Sequence, residues 1–318
     1  MKPLGRLWST VWSWLPSGVD RRVVVVAWAS LVCQIVLVGT GGLVRLTGSG
    51  LGCPTWPQCG DGSFVTTPAM GYHGVIEFGN RMLTFVLVIV VIAAFLSILR
   101  FRKVRRDLFW LTFIQGMSIP FQAVLGGISV LAKLNPYVVG SHFIVSMILV
   151  RIATTLVYRV THGPRGTSAA TPAWFANVAR VTAVFVAITV VLGILTTGAG
   201  PHAGDAHTHR NGLDPRVIEV VHAVPAFAVF GLTILLVIAT YRLGLPRRLV
   251  TMLLAVEVAQ IAVGLIQANT GLPSLLVGAH LVLAALLVSA MTAVGHTLQS
   301  DVDLTAAPAD AAAAAAVR

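Results

Sequence analysis

Three histidines stand in related surroundings: His142 in GSHF, His222 in VVHA and His280 in GAHL. Glu77 precedes Asn80 by one helical turn, and Glu219 precedes His222 by the same interval. A second pair of types, Cys53 and Cys59, lies in the segment GLGCPTWPQCGDG. Imidazoles that converge from separate segments hold metal, and two of them can grip the iron of a flat macrocycle from its opposite faces. Zinc asks for three or four converging ligands, more than each half of this chain supplies. A carboxylate one turn from such an imidazole shares its helical face. It orients the ring, carries protons or stabilises positive charge, unless it is simply paired with Arg81 or reaching for the interface. Two close cysteines in an oxidising compartment form a disulfide, which is either a staple or a pair that exchanges electrons with a partner.

The elements that carry these residues are membrane spans. Of 318 residues, 56% are hydrophobic and 10% charged, against about 25% charged in a soluble domain. Such a chain cannot cover itself with polar side chains, so lipid must be the solvent for most of its surface. Its net charge of +11 would suggest nucleic acid in a soluble protein. Here the basic residues cluster between apolar runs, and no nucleic-acid partner is expected. Eight runs reach the length a membrane helix needs, about 20 residues. They cover roughly 23–44, 73–98, 108–131, 137–160, 175–197, 216–241, 249–270 and 274–297. Arginine and lysine crowd the loops near 100–106, 159–165 and 242–248 and the N-terminal segment, while few face the other side. By the positive-inside rule both termini lie in the cytoplasm of a multi-pass cell-membrane protein, and the loops at 45–72, 132–136, 198–215 and 271–273 face outward. Trp8, Trp12 and Trp14 mark either a short interfacial helix or a tail with aromatic anchors. The tail from about 299 is expected to be disordered, and Cys33 to be an inert core residue.

Histidines 142, 222 and 280 each fall about six residues inside the outward end of a span, a common depth of about 9 Å. The sequence around them repeats. FQAVLGGISVLAKLNPYVVGSHF at 121–143 lies over AQIAVGLIQANTGLPSLLVGAHL at 259–281, and VIEFGNR at 75–81 lies over VIEVVHA at 217–223. TGSG at 47–50 likewise resembles TGAG at 197–200. The expected architecture is all-α: two tandem, pseudo-symmetric four-helix bundles at 23–160 and 175–297. They are flanked by a cytoplasmic segment 1–22, a linker 161–174 and the tail 298–318. Four spans per unit make the repeat parallel. His222 and His280 then form a ligand pair. The first half departs from the pattern, because Asn80 stands where the repeat puts a histidine. His73 shares that face but sits about 10 Å higher along the axis. A haem held there by His142 alone would keep an open coordination position, which suits chemistry better than electron transfer.

Arg45, Arg81 and Arg210 border the outer face, where guanidinium forks either meet haem propionates or snorkel. His202, His207 and His209 make a metal site or a solvated loop. His162 and His296 read as interface residues, and Glu257 has no counterpart, since Ile119 takes its place.

Taken together, RLTGSGLGCPTWPQC (45–59), EFGNR (77–81), TGAGPHAGD (197–205), EVVH (219–222) and GAH (278–280) resemble the haem A synthase family over about residues 23–297. That resemblance implies an oxidoreductase that converts the C8 methyl of haem O to the formyl of haem A for cytochrome oxidase. It implies a haem b cofactor on His222 and His280 with Glu219 beside it. The substrate haem would sit in the first half, near His142, Asn80, His73, Arg81 and Arg45, with Glu77 as the catalytic carboxylate. Contacts with haem O synthase and the cytochrome oxidase assembly machinery, and an external electron acceptor, follow from it. Asn80 departs from the family's E-x-x-H-R. The rival readings are a non-catalytic two-haem cytochrome b and a transporter. The first predicts equivalent ligation in both halves, the second a midplane site in broken helices.

Overall fold

A computed structural model describes residues 12–205 and 207–301. Eight helices are long and apolar enough to cross a membrane: α1 Arg21–Leu46, α2 Gly71–Leu99, α3 Arg106–Leu131, α4 Pro136–His162, α5 Ala173–Ala199, α6 Pro215–Leu243, α7 Arg248–Asn269 and α8 Ser274–His296. Each begins and ends within about two residues of the apolar run that predicts it. Local chemistry sets the ends. Asp20 caps α1 by accepting from the N–H groups of Arg22 and Val23, and Asp214 does the same for Arg216 and Val217 of α6. Proline opens α4 and α6 at the position where a missing N–H costs nothing, and Gly244 closes α6 in the left-handed conformation (φ 65°).

In the first half α1 packs on α2 and α4, and α3 packs on the same two. In the second half α5 packs on α6 and α8, as does α7. The helices bearing Asn80 and His142 thus stand diagonally opposite each other, as do those bearing His222 and His280. The halves meet where α8 lies on α1 and α4, and where α4 lies on α5. Gly39 and Gly42 of α1 face Val282 and Leu281 of α8 so closely that a Cβ at either would lie 3.0 or 2.8 Å from the opposing side chain. Small residues of this kind let membrane helices approach without a hydrophobic driving force. The outer faces are apolar: Phe85, Ile89 and Ile92 of α2 are all exposed, as suits acyl chains rather than water.

Packing is uneven along the axis. One buried cluster joins Val23, Ala27, Leu31, Ile98, Leu108 and Leu156, and another joins Phe175, Ala179, Leu236, Leu253 and Val294. Both lie largely toward the end of the bundle that carries the basic loops. The opposite end, with the longer loops, is hollow.

The linker carries a short strand, β1 Arg165–Ala169, which pairs antiparallel with β2 Gln299–Asp301. The tail is therefore ordered up to 301 rather than disordered from 299, and Ala170 N–H donates to the Leu298 carbonyl (3.2 Å). Residues 302–318 and Trp8 lie outside the described residues, and residues 12–14 are helical.

Candidate functional site

The hollow end holds a cavity of 1140 Å³ that runs through both halves. Pockets for one small ligand usually measure about 300–1,000 Å³, so this one suits more than one ligand or a very large one. Asn80 and His142 line it in the first half, His222 and His280 in the second.

In the second half the two imidazoles face one another with ring centroids 6.3 Å apart and planes at 76°. Two imidazoles bound to one metal ion at about 2 Å each would place their centroids about 6 Å apart. The ring nitrogen left for a metal is also defined. His222 Nδ1 lies 3.0 Å from the Thr189 carbonyl of α5, an acceptor only, so Nδ1 carries the proton and Nε2 is left as the ligand. His280 Nδ1 is buried without a partner. Each ring rests against a glycine of a neighbouring helix. A Cβ on Gly193 would lie 3.0 Å from His222 Cε1, and one on Gly264 3.2 Å from His280 Cε1. The gap has the width and donor set of a bis-imidazole iron site. Glu219 lines the same cavity but is exposed and, among the described residues, joins no ion pair.

The first half repeats the cradle with one imidazole. A Cβ on Gly126 of α3 would lie 3.5 Å from His142 Cε1, and His142 Nδ1 is buried and unpartnered. Opposite, Asn80 Oδ1 accepts from Thr40 Oγ1 of α1 at 2.7 Å, so its amide is turned toward α1. His73 does not line the cavity. In the first turn of α2, its Nδ1 meets Ser49 Oγ of the preceding loop at 3.0 Å and its ring is tilted against Tyr72, so its ring is tied to the loop rather than aimed into the cavity.

Glu77 is 6% exposed and engaged on both oxygens. Oε1 pairs with Arg81 at 2.6 Å, and Oε2 accepts the Cys53 N–H at 2.7 Å. Arg81 donates further to the carbonyls of Cys53, Thr55 and Gln58. The carboxylate and the loop therefore hold each other in place. Cys53 and Cys59 form a disulfide whose two residues are fully buried. Burial of both sulfurs favours the staple over exchange with an outside partner, which needs access to the sulfur. Cys33 is free and only half-buried rather than part of the core.

Arg45 spans the two halves, with Nε donating to the His202 carbonyl at 2.5 Å and Nη2 to the Thr197 carbonyl at 2.9 Å. Arg210 donates to the Pro201 carbonyl. Both border the cavity, so part of each fork is already committed to the loops. His202 Nε2 meets the Leu272 carbonyl at 2.8 Å. Among the described residues no three His, Cys, Asp or Glu side chains cluster as a metal site, so the loop histidines do not form one. His162 and His296 stack on either side of Tyr158 at the basic end. Glu257, 3% exposed, accepts from Thr233 Oγ1 at 2.8 Å.

Sequence reasoning missed the anchoring of Trp56. A Cβ on Gly127 of α3 would overlap its indole ring, so the loop tip lies down on the bundle. It also missed Thr189 and Gly193, which steer and seat His222, and Gln34, a buried amide on the cavity wall. Only Gln34 carried a signal, as a polar residue deep in an apolar run.

The sequence profile of the cytochrome oxidase assembly protein family, COX15-CtaA, matches residues 24–292. The chain belongs to this family. Among similar proteins, Heme A synthase of Bacillus pumilus (strain SAFR-032) is 39% identical over 139 residues, 42% of this chain and 43% of that protein. Heme A synthase of Listeria monocytogenes serotype 4b (strain F2365) is 34% identical over 120 residues, 37% of this chain and 39% of that one. Heme A synthase of Geobacillus thermodenitrificans is 26% identical over 112 residues, 35% and 34% of the two chains. In each case the chain spans less than half the length of the relative it matches.

Proposed function

We propose that this family member is a haem A synthase, a membrane oxidoreductase that oxidises the C8 methyl of haem O to the formyl of haem A. The observation that carries the proposal is the asymmetric pair of cradles. One has two opposed imidazoles at iron-gripping separation, and the other has one imidazole facing an asparagine already bound to Thr40. A two-haem electron carrier would need equivalent ligation in both. A haem b between His222 and His280 supplies one-electron transfer when bound. The names of the family and of its relatives support haem O as substrate and a role in cytochrome oxidase assembly.

The chain's own residues then divide the work. Thr189 and Gly193 fix the tautomer and pose of His222. His142 holds the substrate from one face and leaves the other face to Asn80. Glu77, kept near the cavity by Arg81 and the Cys53 N–H, is placed to stabilise positive charge at the carbon being oxidised or to accept its proton. Arg45 and Arg210 keep some N–H groups for propionates at the loop end. The apolar faces between helices admit an isoprenoid tail from the bilayer, directly or from a neighbouring haem O synthase. Taking the methyl to the formyl adds one oxygen, from water, and releases four protons and four electrons; the electrons leave to an external acceptor. The protein sits in the cell membrane with both termini cytoplasmic.

The test is expression of the full chain where haem O is made, with extracted haems analysed by mass. Wild type is expected to yield haem A. Glu77→Ala is expected to abolish it while the haem on His222 and His280 remains. Undiminished haem A in that variant removes Glu77 from the chemistry. Purified wild-type protein without a Soret band ends the whole reading.

A further inference from the structure

Two amides on the wall of the first chamber have polar atoms that no protein group satisfies. Gln34 of α1 is 5% exposed, and its Nε2 is buried with no hydrogen-bond partner. Gln122 of α3 is in the complementary state. Its Nε2 donates to Ser146 Oγ at 2.9 Å and to the His142 carbonyl at 3.4 Å, while Ser146 Oγ spends its proton on that same carbonyl. The orientation of Gln122 is thereby fixed, and its Oε1 is left buried and unpaired. Both residues line the cavity. They stand on α1 and α3, the other diagonal of the ring. A donor on one wall and an acceptor on the other are what an alcohol requires, since a hydroxyl is both acceptor and donor.

Their depth agrees. Gln34 lies six residues before Thr40, the partner of Asn80, or about 9 Å toward the basic end. Gln122 lies four residues before Gly126, the seat of His142, or about 6 Å in the same direction. The arginines that border the cavity are at the loop end. A haem with its propionates toward Arg45 and Arg210 turns its opposite edge toward the two glutamines. Haem O differs from haem b on that edge, where a hydroxyalkyl group bearing the farnesyl tail replaces a vinyl.

We propose that Gln34 and Gln122 read this hydroxyl and so select haem O over haem b for the first chamber. The proposal rests on the function proposed above, which makes haem O the substrate. The second half supplies the contrast. Gln260, the counterpart of Gln122, also has an unpaired Oε1, but the register of TGSG on TGAG puts Val184 opposite Gln34, and Val184 is exposed on the outer surface. The second half has Glu257 instead, whose Oε1 accepts from Thr233 and whose Oε2 is buried without a partner. It keeps the counterpart of Gln122 but has no amide at the position of Gln34. Leaving both amides unpaired costs more than the bond they would make, and a site built for a hydroxyl discriminates strongly against its absence.

The experiment titrates the first chamber of the purified full chain, its second-half haem in place, with protohaem, with haematohaem (hydroxyethyl groups, no farnesyl) and with haem O. Wild type is expected to prefer haematohaem to protohaem. Gln34→Met should weaken haematohaem and haem O about tenfold and leave protohaem unchanged. Gln34→Asn, which keeps the amide on a shorter arm, should lose less. Retention of the second-half haem reports that each variant is folded. A wild-type chamber that binds haem O yet takes haematohaem and protohaem equally overturns the assignment without any variant, as does equal loss of all three haems in Gln34→Met. A wild-type chamber that takes no haem O sinks the proposed function instead.

Discussion

His222 is oriented before any ligand arrives. The Thr189 carbonyl takes the Nδ1 proton at 3.0 Å, and Gly193 leaves just enough room for the ring. A methyl at Gly193 would lie 3.0 Å from Cε1, tight enough that the ring must give by a few tenths of an ångström, and 3.5 Å from Nδ1, an ordinary contact; overpacking of this kind costs about 1–3 kcal/mol. Gly193→Ala is therefore expected to turn the imidazole, lower second-half haem occupancy severalfold and weaken the low-spin signature, read by haem-to-protein ratio and electron paramagnetic resonance. Gly295→Ala, where a Cβ meets nothing within 4 Å, is the matched control and should keep full occupancy. An unaltered signal in Gly193→Ala would show that the glycine is not part of the seat. The histidine itself was legible in the sequence because a repeat duplicated its context. Its glycine and carbonyl partners were not, because they come from α5, whose register on α6 is set by packing and by hydrogen bonds between the helices.

At the level of elements, the loop between α1 and α2 does more than close an outer turn. It delivers the Cys53 N–H to Glu77, receives three carbonyl contacts from Arg81, and lays Trp56 on Gly127 of α3. These anchors act together, since the disulfide fixes the distance between the segment that caps Glu77 and the segment that Arg81 holds. Gly127→Ala inserts a methyl where the indole lies. The expected result is a displaced loop, a Trp fluorescence shift, and loss of at least tenfold in haem A formation, the scale on which small misplacement of a catalytic group acts. The haem proposed for His222 and His280 should be retained, because those residues belong to other helices. Full activity with a displaced Trp56 would separate the loop from the chemistry. Cysteine spacing and compartment announced the disulfide. The contact with Gly127 lay beyond sequence reasoning, because nothing local tells a loop which helix it will lie on.

At the scale of the molecule, cavity and core are segregated along the membrane normal. The basic-loop end is close-packed, and the opposite end is hollow, its cavity walls mostly apolar with a few polar groups. The positive-inside rule puts the hollow end outside, so loop residues such as Asp61 should be reachable from the external face. A membrane-impermeant maleimide applied to intact cells is expected to label Asp61→Cys but not Lys103→Cys, and to label both once the membrane is opened. Labelling of Lys103→Cys alone in intact cells would invert the topology and with it the side proposed for binding the substrate's propionates. The two halves share this cavity because Gly39 and Gly42 bring α1 against α8 and because Arg45 of the first half donates to the Thr197 carbonyl at the end of α5 and to the His202 carbonyl of the loop that follows.

The sequence by itself determined the solvent, the eight spans and the common depth of the histidines, because hydropathy, helical rise and loop charge are local quantities that add along the chain. It also exposed the asymmetry at Asn80, since a repeat carries its own reference. Only the tertiary structure decided that the rings of His222 and His280 face each other at 6.3 Å, that His73 at the start of α2 is bonded to Ser49 of the loop, and that Glu77 is clamped by Arg81 and Cys53. Each of these depends on the rotation of one helix about its axis relative to another. Apolar helices in lipid leave that angle undefined until small residues and interhelical hydrogen bonds choose it.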